Sequence, residues 1–339
     1  MATLQLTFKD IREEVQRYLG YGRHTGFDSI SEDPRGDVLS CIERGLRQFY
    51  NPAPLPNETS SHEWSFLRSE SVVATVAPYT AGLVSGSAGS TAVAGGSTTF
   101  TSAMVGRLFI AGEQVRDVAT FSSTTLIGLD RALDTALSSS SYEIIANEYD
   151  LPSDFGGIKG AINFKDGDGY VPLQLVNESS IRMMRAREEI RKDRPEFAAI
   201  IPKTADNDTT SAQAFQLSVY PFPDKVYDLY FSYTVLPNSI ADDTASSSHD
   251  SNVPLGGMVH SETILAACLA VAEQIVDEFN NPGKMQARYQ ERLAASISFD
   301  RRNMLPDGFG YNADNSDRKI DLPSRRRIQT VSYNNTVYP

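Results

Sequence analysis

The sequence predicts an α+β fold: a helical bundle core with a paired-strand region, an inserted small β-domain and an extended C-terminal arm. Three observations predict it. Apolar residues recur at helical spacing near the start of the chain and again at Ile264, Leu265, Cys268 and Leu269. Between residues 69 and 147 the composition shifts to Ser, Thr, Gly, Ala and Val, with short β-favouring runs. Beyond Arg302 the periodicity vanishes, and the rest of the chain is rich in Asn, Asp, Gly, Pro and Arg, which supply no core.

Taken in order, Phe8, Ile11, Val15, Tyr18 and Leu19 predict a helix over 7–19, with Thr7 as N-cap and Asp10 as its acidic partner three residues on. Gly20, Gly22 and Gly26 break it. Asp33-Pro34 then reads as a cap followed by a first-turn proline, opening a second amphipathic helix through Val38, Leu39, Ile42, Leu46 and Phe49. Repeated proline in Asn51-Pro52-Ala53-Pro54-Leu55-Pro56 removes donors and ends that helix. These residues make up a segment 1–68 of N-terminal core helices.

Segment 69–147 reads as an inserted β-domain, with strands at 72–76, 107–110, 114–118 and 142–145. The low-complexity run 80–99 resembles a linker in composition, but it is read as strands with loose hairpins. Segment 148–303 returns to the core. It holds an arginine-rich helix over 178–192 and two strands, 215–220 and 227–233. Their alternating apolar residues and the intervening Pro221-Phe222-Pro223-Asp224-Lys225 predict a hairpin. The widest apolar stripe covers 261–279. After Asn281-Pro282-Gly283, residues Met285, Tyr289, Leu293 and Ile297 recur every four positions, as expected of an antiparallel partner helix. Segment 304–339 is the arm.

With 339 residues and 40% hydrophobic composition the chain can bury a sizeable core as one large domain or two modest ones. Its apolar residues are dispersed, and no stretch matches the roughly 18 uncharged apolar residues of a membrane span. The opening Met1-Ala2-Thr3-Leu4-Gln5-Leu6 lacks the basic and apolar regions of a secretory signal, so synthesis in a cytoplasm is expected. Cys41 and Cys268 sit in apolar helical patterns and read as small buried hydrophobes. A net charge of −12 argues against general affinity for nucleic-acid phosphates and suits a surface that DNA slides past.

No catalytic, cofactor or metal residue is nominated. The glycines near Gly82, Gly86 and Gly89 make no phosphate-binding loop, and Asp166-Gly167-Asp168-Gly169 reads as a turn because Asn177 stands where a calcium loop needs a bidentate glutamate. The histidines His24, His62, His249 and His260 lie far apart; His260 is expected at a helix start and His249 in a loop. The basic residues Arg182, Arg185, Arg187, Arg191, Lys192 and Arg194 read as one solvated helical face, partly paired with Glu188 and Glu189. Arg325, Arg326 and Arg327 differ. They lie outside any core, and with Tyr333 and Tyr338 they are the candidates for docking onto an acidic neighbouring subunit or a DNA backbone.

The order of features resembles the head-to-tail adaptor (connector) proteins of tailed phages, of the short-tailed type. The resemblance rests on two short amphipathic helices, a β insertion, Leu151-Pro152-Ser153-Asp154-Phe155, the Tyr220-Pro221-Phe222-Pro223-Asp224 turn before Leu229-Tyr230-Phe231-Ser232-Tyr233, and a terminal helix pair. It implies a structural virion protein without enzymatic activity or cofactor. It further implies a homo-oligomeric ring of 12 copies beneath the portal protein, a tail or nozzle protein on the opposite face, and a lumen through which DNA passes unbound. The arm would reach the portal and the insertion would face tail fibres, with no membrane involved. Two rivals stand beside it: a glycan- or receptor-binding virion protein acting through the β insertion, and a virion-associated glycan hydrolase.

Overall fold

The computed structural model describes residues 4–22, 32–55, 60–187, 190–203, 213–241, 247–276, 283–303, 331–333 and 336–338. The fold is mixed α+β. Two compact units divide the chain: Met1–Arg68 with Val235–Pro339, and Ser69–Thr234. Five α-helices lie among the described residues: α1 (Phe8–Leu19), α2 (Glu32–Tyr50), α3 (Glu178–Arg187), α4 (Gly257–Val276) and α5 (Lys284–Asn303).

In the first unit, α1 begins in a capping box. The Thr7 hydroxyl accepts from the Asp10 amide, and the Asp10 carboxylate accepts from the Thr7 amide at 2.9 Å. It ends at Gly20, whose φ of 85° only glycine adopts without strain. Helix α2 starts at Glu32, so Asp33 lies inside the first turn and not at the cap. Pro34 is tolerated there because first-turn amides have no acceptor within the helix. Helices α1, α2 and α5 all pack against α4, around Phe8, Ile11, Val15, Val38, Ile42, Phe49, Ile264, Cys268, Val271, Leu293 and Ile297.

Helix α4 is long and apolar enough to cross a membrane, with a mean hydropathy of 1.3 over its best window. No such helix was expected. Its buried Ile264, Ala267, Cys268 and Val271 belong to this shared core, which explains a stripe wide enough to pass that test. Helix α5 runs antiparallel to α4. Thr263 and Ser296 share a 2.7 Å hydrogen bond at one end, and the Glu273 carboxylate accepts from the Met285 and Gln286 amides at the other. That carboxylate satisfies two donors at the positive end of α5, an N-cap supplied from a different helix.

The second unit begins with β1 (Arg68–Ala74) and then builds a seven-stranded sheet. Its strands are β2 (Leu83–Gly86), β3 (Ala92–Gly96), β4 (Leu108–Ala111), β5 (Gln114–Ser123), β6 (Leu126–Leu129), β7 (Leu137–Ser140) and β8 (Glu143–Ile145), in the order β7-β2-β3-β6-β5-β4-β8. The low-complexity run therefore forms paired strands, with Val84 opposite Gly95 and both Val84 and Val93 fully buried. Alternation of one valine inward with small residues outward suffices for a strand when neighbours cover the inner face.

The remaining strands are β9 (Glu148–Asp150), β10 (Phe155–Phe164), β11 (Gln174–Leu175), β12 (Lys192–Asp193), β13 (Phe197–Pro202), β14 (Phe215–Tyr220), β15 (Phe222–Pro223) and β16 (Asp228–Val235). The expected hairpin of 215–220 with 227–233 does not form. Strand β14 lies between β13 and β9 in a four-stranded sheet, while β16 is central in a sheet ordered β1-β16-β10. The proline segment between them carries β15, which pairs with β12 and redirects the chain from one sheet to another. Strand β16 buries Leu229, Phe231 and Tyr233 on one face, whereas β14 is covered on both faces over Leu217, Ser218, Val219 and Tyr220, and alternation in the sequence cannot say which strand is the partner. Beyond the units' cores, β17 (Val331–Tyr333) and β18 (Thr336–Tyr338) pair antiparallel.

Candidate assembly surfaces and internal polar clusters

The cluster most like a reaction centre is His62, Ser65 and Asp300. Asp300 continues the α5 stripe of Tyr289, Leu293 and Ile297 by three residues, which turns a carboxylate onto the buried face. Its Oδ2 accepts from His62 Nε2 at 2.8 Å and from the Ser65 amide at 3.1 Å, and its Oδ1 accepts from the Ser65 hydroxyl at 2.5 Å. A hydrolytic triad needs histidine between serine and carboxylate so that it can take the serine proton. Here the carboxylate sits in the middle and holds the serine proton away from the imidazole. Burial pushes the Asp300 carboxyl up, but the hydrogen bonds from Ser65 and His62 outweigh it and hold the group below its usual range. The arrangement braces the stretch before β1 against α5.

Beside the brace, His260 in the first turn of α4 is buried among the rings of Phe49, Trp64, Phe66 and Phe299. Burial lowers its affinity for a proton, so it is a neutral core residue. Trp64 fixes the cluster by donating from its indole nitrogen to the Phe49 carbonyl at 2.8 Å. His249 ends a short 3-10 turn, and His24 lies outside the described residues. The Asp166–Asp168 stretch is a turn, with the Asp168 amide donating to the Lys165 carbonyl. No group of three metal-ligating side chains occurs among the described residues.

Both cysteines are buried and free. Burial pushes the Cys41 thiol up to about 11, and it pushes the Cys268 thiol higher still. The native chain is therefore expected to resist alkylation by iodoacetamide at pH 8, with both thiols reacting only in urea. Mass spectrometry of labelled peptides checks this, and rapid labelling at Cys268 without denaturant would contradict the packing of α2 on α4.

The basic residues near α3 do not form the expected single face. The helix ends by Arg187, and Lys192 is already on β12. Arg182 pairs with Glu178 one turn back. Arg185 turns inward and donates to the Ser218 hydroxyl and the Val219 carbonyl, at 2.8 and 2.9 Å. Arg191 pairs with Asp193, Lys192 with Glu143, and Arg194 lies 4.8 Å over the Tyr170 ring. Glu188 and Glu189 lie outside the described residues. The sequence spacing predicts one continuous helix, whereas the strand at Lys192 follows its end and Arg185, Arg191, Lys192 and Arg194 each meet a different partner. Of the docking candidates, Arg325, Arg326 and Arg327 also lie outside the described residues. Tyr333 stands across from Thr336, and Tyr338 across from Val331, on the β17–β18 pair.

Two unlike apolar surfaces remain on the first unit. One surrounds the start of α4, where Val253, Leu255, Met258 and Val259 are all about half exposed. Leu4, 84% exposed, is held next to them because the Gln5 side chain donates to the Pro254 carbonyl and the Leu6 amide to the Ser261 hydroxyl. The other is a groove of about 760 Å3 along α5, lined by Gln48, Pro54, Leu55, Gln274, Tyr289 and Leu293 among others. Exposed apolar residues gathered as at the start of α4 mark a contact surface, whereas the groove along α5 is a recess floored by the buried Tyr289 and Leu293.

A family model described as "SU10 adaptor protein" matches residues 115–310, more than half of the chain. No curated protein matches the sequence. The match takes in β5 through α5, so it joins the later strands of the insertion to the terminal helix pair on which the resemblance to phage adaptors was read. The chain belongs to the SU10 adaptor protein family and is a structural adaptor component of the phage virion.

Proposed function

We propose that copies of this chain close into a ring of twelve beneath the portal, link it to a tail or nozzle protein, and continue the DNA channel. The observation that carries this reading is the pair of unlike apolar surfaces on the first unit. A cyclic array needs a heterologous interface, in which one patch of each subunit meets a different patch on the next. The protruding residues at the start of α4 and the groove along α5 supply two such patches. The net charge of −12 suits a lumen wall that repels passing duplex.

In this reading the arm 304–339 docks on the portal or a neighbouring subunit through Arg325, Arg326, Arg327, Tyr333 and Tyr338. The segment 69–147 faces outward as a module toward tail fibres. The test is to mix the purified chain with portal rings and follow sedimentation. A shift to a complex of uniform stoichiometry is expected, and truncation after Ser316 should lower its yield at least tenfold. A chain that stays monomeric beside intact portal rings would refute the ring, and full assembly of the truncated chain would refute the role of the arm.

A further inference from the structure

Arg107 stands apart from the other cations of the second unit. It follows the Ser102–Met104 turn, with its own backbone held by hydrogen bonds from its amide to the Met104 carbonyl and from the Val118 amide to its carbonyl. Its side chain is half-buried and enters a cleft of about 840 Å3 lined by Val72, Val105, Glu148, Asp150, Lys203 and other residues. The two carboxylates there are already engaged. Asp150 accepts from Lys203 at 3.0 Å and from Gln216 at 2.8 Å, and Glu148 lies 3.9 Å from Arg185. Among the described residues the Arg107 guanidinium has no hydrogen-bond or ion-pair partner, and its proton affinity is lowered by burial. Arg185, whose proton affinity is also lowered by burial, donates from one terminal nitrogen to a hydroxyl and two carbonyls, although its Nε has no partner.

The Arg107 nitrogens are not among the buried atoms that lack a partner, so water solvates the guanidinium in the isolated chain, and a carboxylate entering the cleft would replace that water with a charge-assisted pair. We propose that this cleft is a socket for an acidic peptide segment of a neighbouring virion protein, with Arg107 taking one aspartate or glutamate side chain through its planar fork. Val72 and Val105, each nearly half exposed at the rim, cover aliphatic residues that flank that carboxylate. The fork of arginine matches a carboxylate in two parallel hydrogen bonds. A polyphosphate is disfavoured, because Arg185 and Lys203 are balanced by Glu148 and Asp150, which leaves only the single charge of Arg107 to be met. The proposal rests on the virion reading only for the origin of the peptide; the socket itself is a property of the isolated chain.

The experiment uses the full chain with 15N-labelled arginine and follows the Arg107 Nε–H resonance. The probe is acetyl-Val-Glu-Val-amide. Its titration is expected to give a saturable shift that is absent with the Gln peptide and absent in Arg107→Met. The same variant should leave the urea midpoint of the isolated chain unchanged or higher, while lowering incorporation into particles at least tenfold in a complementation assay. Three results would overturn the proposal: sodium acetate shifting the resonance at the same concentration as the peptide, a lower urea midpoint for Arg107→Met, or normal incorporation of that variant. A moved Arg107 resonance on changing Asp206 and Asp208 to Asn without peptide would also overturn it, since the carboxylate would then come from the chain itself. Failure of the wild-type chain to assemble on portal rings bears on the ring and leaves the peptide titration intact.

Discussion

Replacing Asp300 with alanine is expected to destabilise the first unit by about 3 to 5 kcal/mol, because it removes the shared acceptor of three donors in a nearly solvent-free site. The loss is larger than that of any one of the three bonds, since each donor is left without an acceptor. Urea denaturation of Asp300→Ala, followed by tryptophan fluorescence of Trp64, reads the effect beside the brace itself. Trp64 is the one tryptophan of the chain and its ring lies 4.8 Å from His62. A shift in the midpoint worth less than about 1 kcal/mol would mean that the brace is replaceable by water, contrary to the burial of both Asp300 and His62.

The same residue sets a pH limit. Because the folded carboxyl is held below its usual range, its contribution is fully present above the unfolded value of about 3.9 and is lost as the pH falls through the folded one. His260 acts in a higher window. Buried and reluctant to accept a proton, it contributes stability that is complete above about pH 6.5 and declines as the pH falls below that value, where the unfolded chain binds the proton more readily. Asp300→Asn should therefore flatten the stability curve below pH 4 and keep the decline that starts near pH 6.5. His260→Phe should do the reverse. Stability measured by urea at pH 3 to 8 separates the two, and an unchanged acid limb in Asp300→Asn would remove the brace from the account.

Replacing Gly45 with valine is expected to cost about 3 kcal/mol or more. A Cβ at this position would stand 2.6 Å from the Cys268 Cα, 2.7 Å from its amide nitrogen and 2.8 Å from its Sγ, so the two helix backbones would have to separate. Gly36, on the same helix, provides the contrast. No atom lies within 4 Å of where its Cβ would be, so Gly36→Ala should stabilise the chain by about 1 kcal/mol through helix propensity alone. Thermal unfolding of the two variants side by side is the measurement. Equal and small effects would show that α2 and α4 are not in backbone contact.

Much of the helical unit was legible from periodicity. Phe8, Ile11 and Val15 declared α1, Thr7 and Asp10 its capping box, and Met285, Tyr289, Leu293 and Ile297 declared α5, because a helix places every third and fourth residue on one face whatever surrounds it. The low-complexity run 80–99 reads as strands with loose hairpins because the strands on either side need a turn-rich connection, and β2 and β3 lie within it. The reading failed where a local pattern had more than one partner available. Strands 215–220 and 227–233 alternate cleanly, yet each joins a different sheet. The arginines after Glu178 share a spacing, yet their helix ends at Arg187 and a strand follows at Lys192.

By itself, then, the sequence determined the helices and strands that follow from side-chain period, the buried character of both cysteines, and the family resemblance carried by the order of those elements. Only the tertiary structure decided which strands pair, that Gly45 lies against Cys268, that Asp300 faces His62 and Ser65, and that Arg107 lines a cleft whose carboxylates are engaged by Arg185 and Lys203. The physical reason is distance along the chain. Period is a property of neighbours within two turns or a few strand residues, whereas His62 and Asp300 stand 238 positions apart, and their meeting depends on how every element between them packs.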